Sequence, residues 1–149
     1  MAIFKLLHLL SVLVWVGGMF FAYVVLRPAA VELLQPPERL RLWVVVFRRF
    51  FVWVWVAVGT LLGSGFYLIS LYGGMGNMPS YIHLMLLLGI VMMLIFGYVY
   101  FRCYAQLRQK VGQQDWPQAG AVLATIRKLV GLNLALGLIT VCVVMIGRG

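Results

Sequence analysis

Apolar residues along the chain fall into four long runs separated by short connectors: Leu6 to Leu26, Phe50 to Tyr72, Tyr81 to Phe101 and Leu129 to Ile146. Each run supplies the roughly 20 residues that an α-helix needs to cross a ~30 Å hydrocarbon layer. The pattern predicts an all-α integral membrane protein, a bundle of four transmembrane helices over about residues 5–27, 38–73, 80–109 and 116–147, in one domain spanning 1–149. The first run is too long for the apolar part of a secretory signal. Only Lys5 precedes it, and no small-residue cleavage site follows. Pro28 and the pair Pro36-Pro37 predict a break after the first helix. Pro37 suits the first turn of the second, with Glu38 beside the positive end of the helix dipole. Asp115 is the expected N-cap ahead of Trp116 and Pro117.

Within the runs, small and polar residues indicate which faces meet other helices. His8, Ser11, Trp15, Gly18 and Ala22 recur at three- and four-residue spacing and form one stripe, expected to face the interior. Asn133, Gly137 and Thr140 do the same on the fourth helix. The amide of Asn133 predicts a hydrogen bond across helices, because facing lipid unpaired is costly. Gly59 and Gly63 make a G-x-x-x-G step on the second helix, with Gly65 beyond it. Such glycines allow close backbone approach within the bundle or in a homodimer.

Composition narrows the class. Of 149 residues, 64% are hydrophobic and 10% charged, too apolar a surface for a soluble domain of this length. The net charge of +9 would suit nucleic acid in a soluble protein. Its placement points to a lipid bilayer instead. Arg27, Arg39, Arg41, Arg48 and Arg49 surround the first connector, and Arg102, Arg108, Lys110, Arg127 and Lys128 the third. The connector from Gly73 to Ser80 carries no charge. The positive-inside bias then sets the first and third connectors in the cytoplasm and both termini on the outer, periplasmic side of a bacterial inner membrane. Trp43 is expected as an interfacial anchor. Cys103 and Cys142 fall near opposite faces and are expected as unpaired, buried small hydrophobes.

The candidate chemistry gathers at the outer end. His8 and His83, the two histidines, lie a few residues inside the outer ends of the first and third helices. At equal depth, two imidazoles on facing helices can ligate a haem iron from both axial sides. A haem b held by His8 and His83 is therefore one expectation, with Lys5, Arg148, Tyr81 and Ser80 as partners for its propionates. A copper ion is the other. Met75 and Met78 form M-x-x-M five residues before His83, and thioethers with imidazole suit Cu(I). Met85, Met92 and Met93 read as core filler.

Three blocks carry a resemblance to a known family: L-H-L-L-S-V-L-V-W-V-G-G-M-F-F-A at Leu7 to Ala22, Y-I-H-L-M-L-L-L-G at Tyr81 to Gly89, and R-K-L-V-G-L-N-L-A-L-G at Arg127 to Gly137. With these, nearly the whole chain resembles the CopD-domain family of small bacterial inner-membrane proteins, which implies copper resistance or uptake. The first helix is also similar to the HemJ family of protoporphyrinogen oxidases, matching its His, Trp, Gly and Phe at His8, Trp15, Gly18 and Phe20. That similarity implies b-type haem at His8, with Trp15 beside it. The third helix of that family carries a lysine where this chain has Met85, a departure that bears against oxidase activity. The sequence thus leads to a haem-binding electron-transfer protein, a membrane oxidoreductase with quinone or another redox partner. Copper handling through Met75, Met78, His83 and His8 is the alternative, and protoporphyrinogen oxidase-like chemistry the third.

Overall fold

The computed structural model describes residues 2–148 and, of Met75, the backbone alone. Four helices account for almost all of it: α1 (Ala2–Leu33), α2 (Pro36–Leu71), α3 (Ser80–Gly112) and α4 (Trp116–Arg148). A short 3₁₀ turn, Met75–Asn77, lies between α2 and α3, and no strand occurs among the described residues. All four helices are long and apolar enough to cross a membrane, as the hydrophobic runs predict. At 32 to 36 residues each and a ~1.5 Å rise per residue, they reach about 50 Å, well beyond the hydrocarbon layer.

The expected break at Pro28 does not occur; α1 runs through it to Leu33. The reason lies one turn earlier, where Phe21–Leu26 is wound as a π-helix and the Arg27 N–H donates to the carbonyl of Ala22. This wider turn shifts the hydrogen-bond register just ahead of the residue that has no N–H to give, and the helix continues through it. The break comes at Leu34 and Gln35, both extended, after which Pro36 and Pro37 start α2 with Glu38 in its first turn. At its far end α2 is closed by Gly73 and Gly74, whose φ angles of 91° and 98° suit glycine; the Gly74 N–H donates to the Ile69 carbonyl at 3.0 Å. The turn between α3 and α4 ends on Asp115. Its Oδ1 accepts from the Gln118 N–H at 3.4 Å, a long bond in the geometry of the expected cap.

Packing is most extensive between α1 and α2 and between α3 and α4. Ser11, Trp15 and Ala22 are buried, and Gly18 lies against the Phe50 ring, so the α1 stripe faces inward as expected. The Asn133 Nδ2 donates to the Met92 carbonyl of α3 at 3.1 Å, the predicted cross-helix bond. The middle of the bundle is aromatic. The Phe51 ring stacks on Phe47 at 5.0 Å and meets the edges of Phe96 and Tyr104 at 5.4 and 5.3 Å. Each such pair adds ~0.5–1.5 kcal/mol beyond burial of area.

Three expectations change here. Trp43 is buried against Phe47, 5.2 Å away, rather than standing at the interface, because the core continues down the lower part of α2. Gly59 and Gly63 face outward with nothing near them, so α2 packs through Leu40, Phe47, Val54 and Ala57 instead. Both cysteines are free. Cys103 is buried as expected, whereas Cys142 is exposed on the outer face of α4.

Candidate functional site

The two histidines stand at the end of the bundle away from the arginine clusters. His8 projects from α1 onto α2. Its Nδ1 lies 3.1 Å from the Ser64 Oγ, and its Cε1 would be 3.5 Å from a Cβ placed on Gly65. Glycine at 65 thus keeps the wall beside the ring low. One turn nearer the end of the helix, Phe4 stacks on Tyr67 at 4.1 Å and closes the same seam.

The Ser64 hydroxyl selects the tautomer of the neutral ring. It donates its one hydrogen to the Thr60 carbonyl at 2.6 Å, so toward His8 it can only accept. In the neutral ring the proton then sits on Nδ1, which donates to Ser64. The lone pair is left on Nε2, the arrangement in which a histidine ligates a metal while its other nitrogen is anchored. Sequence reasoning missed Ser64; the available signal was a hydroxyl within an apolar span, at the depth where His8 is expected.

The remaining predicted residues are less closely gathered. His83 is exposed in the first turns of α3, and Met78 is half-buried in the connector before it. The side chain of Met75 lies outside the described residues. Lys5, Ser80 and Arg148 are exposed, and Tyr81 is half-buried with its ring against Gly147 of α4. Trp15 belongs to the core, its indole edge-on to Phe96 at 6.3 Å.

This placement lends no support to a haem clamped between His8 and His83. His8 is turned into the α1–α2 seam, and the half of α3 bearing His83 packs on α4 rather than on α1. The two best-formed cavities, one of about 20 Å³ beside Trp15 and Asn133 and one of about 210 Å³ at the arginine-rich end, are not lined by a histidine. A macrocycle with two axial histidines needs both rings on one cavity. Neither of these two cavities offers that arrangement. Nor do three His, Cys, Asp or Glu side chains gather anywhere among the described residues. What the end offers is one oriented imidazole nitrogen in a seam, with a thioether and a second imidazole toward the surface.

Comparison with known families supplies the context. The model of the CopD family, described as Copper resistance protein D, matches residues 44–146. This is more than half of the chain and includes Ser64, Met78 and His83, while α1 with His8 lies before it. The similarity of α1 to the HemJ family thus falls outside the matched residues. No curated protein and no solved structure matches the chain.

Proposed function

The chain belongs to the CopD family, and from that premise we propose that it handles copper as Cu(I) at the histidine end of the bundle. It is a multi-pass membrane protein. We place it in the bacterial inner membrane, with the arginine-rich end in the cytoplasm and the histidine end toward the periplasm, in line with the positive-inside bias. Copper is here the cargo. Met78 and His83, near the surface, offer a thioether and an imidazole, ligands that suit a soft monovalent ion. His8 lies deeper and receives the ion on Nε2.

The observation that carries this reading is the hydrogen bond from His8 Nδ1 to Ser64. An outer partner that holds a ligating histidine in one tautomer is characteristic of metal sites, and removing it typically costs about 10–100-fold in affinity. A family associated with copper resistance and an oriented histidine point to the same chemistry, whereas the haem reading has no comparable support.

Competition against a chromophoric Cu(I) chelator tests the proposal on purified protein. Ser64→Ala should weaken Cu(I) binding by about 10–100-fold, and His8→Ala should weaken it further. Equal Cu(I) uptake by the wild type and a His8→Ala/His83→Ala double variant would overturn the reading. A Soret band in the purified protein, lost in His8→Ala, would restore haem in its place.

A further inference from the structure

The cavity of about 210 Å³ lies at the opposite end, where α1, α2 and α4 meet. Arg27, Arg39 and Arg127 line it, one from each helix, and no carboxylate does. Three guanidinium groups around one cavity repel one another, and each is costly to bury without a partner. Arg39 shows the deficit directly. One of its terminal nitrogens donates to the Leu34 carbonyl at 3.1 Å, but its Nε is buried with no partner. The pair of exposed carboxylates nearest in sequence, Glu32 and Glu38, both lie outside the lining.

The rest of the wall is apolar and aromatic. Tyr23, Trp43 and Trp116 contribute rings, with the Arg41 guanidinium 5.2 Å over Trp116 on its outer side. Val31 and Pro36 in its lining are exposed, so the cavity opens to the surface beside the turn between α1 and α2. Gly120 forms part of the floor, and a Cβ there would meet nothing within 4 Å.

We infer that this cavity binds the phosphate of an anionic phospholipid, the headgroup held by Arg27, Arg39 and Arg127 and an acyl chain lying along the aromatic wall. A guanidinium fork matches two phosphate oxygens at once, and the unpartnered Nε of Arg39 is a donor for one of them. Basic pockets between helices at a cytoplasmic face are suited to such headgroups, and a free anion alone would leave the apolar wall without use. The site is independent of the histidine end. It also differs from general attraction of arginines to a charged leaflet, since it depends on a cavity and not on charge count.

Native mass spectrometry of the full chain in detergent, offered phosphatidylglycerol or phosphatidylcholine at equal concentration, decides it. The wild type should retain phosphatidylglycerol over phosphatidylcholine on the order of tenfold. Arg39→Gln should abolish that preference, and Arg49→Gln, which removes an exposed arginine outside the cavity, should keep it. Gly120→Leu fills the cavity while leaving every arginine in place, so it should also lose the retained lipid; a thermal melt of each variant establishes that it is folded. Equal retention of the two lipids would overturn the inference, as would equal losses in Arg39→Gln and Arg49→Gln or unchanged binding in Gly120→Leu. Displacement of phosphatidylglycerol by excess inorganic phosphate would assign the cavity to a free anion and overturn the lipid. Resistance to it supports the lipid.

Discussion

The two ends of this bundle are built on different terms. Toward the arginine-rich end side chains are enclosed, apart from the cavity between α1, α2 and α4. Leu107 and Ile126 are wholly enclosed, and Trp43, Phe47, Cys103, Tyr104 and Ala119 are buried around them. Toward the histidine end no residue of α1 before Ser11, of α3 before Met92 or of α4 after Gly137 is buried. There α2 alone keeps enclosed side chains, Ser64 and Ile69, with Ser64 beneath His8. Helix association in lipid rests on close packing and interhelical hydrogen bonds rather than on expulsion of water. The dense end therefore supplies most of the stability, and the sparse end is left free for chemistry that needs access.

The largest test of this contrast is a matched pair of truncations. Leu107→Ala should destabilise the protein by about 2 kcal/mol or more in reversible unfolding from mixed micelles, because it opens a cavity in a closed core. Leu84→Ala, on the exposed face beside His83, should change stability by no more than about 0.5 kcal/mol. Comparable losses would show that the histidine end packs against something that the isolated chain lacks. A middle-sized effect is expected at the junction of the two halves. Asn133→Leu removes the bond to the Met92 carbonyl and should cost about 1 kcal/mol in the same unfolding measurement. The smallest concerns the outward glycines. Gly63→Ala should be neutral or gain up to about 1 kcal/mol from helix propensity, since nothing lies within 4 Å of the added methyl. A loss of stability, together with a lower apparent mass in size-exclusion chromatography, would place that face in a dimer.

How much was legible from sequence follows the same division. Features set by local spacing could be read. The α1 stripe, the cap at Asp115 and the cross-helix bond of Asn133 depend on periodicity or on one polar group in an apolar run. Rotation about a helix axis could not be read where the helix is apolar all round. The run Tyr81 to Phe101 gives His83 a depth but no direction, and packing on α4 turns it to the surface. Equal depth alone does not bring two side chains to one site. Ser64 was hidden for a related reason, because the G-x-x-x-G step of Gly59 and Gly63 beside it marks a face that looks outward. The arginine cavity escaped in another way. Arg27, Arg39 and Arg127 are far apart in the chain, and the positive-inside bias already accounted for their charge, so nothing in the pattern required them to converge.

The connectors have a mechanical consequence. At the dense end Leu34 and Gln35 join α1 to α2, and Gln113 to Asp115 join α3 to α4. The chain is thus two hairpins clasped at their bends, and the segment Tyr72 to Pro79 is the strap between their free arms. Arms fixed at one end spread most at the other. A small change of angle at the bends would be multiplied over the length of the helices, so the same rotation that moves the arginine end slightly would move the end bearing His8 far more.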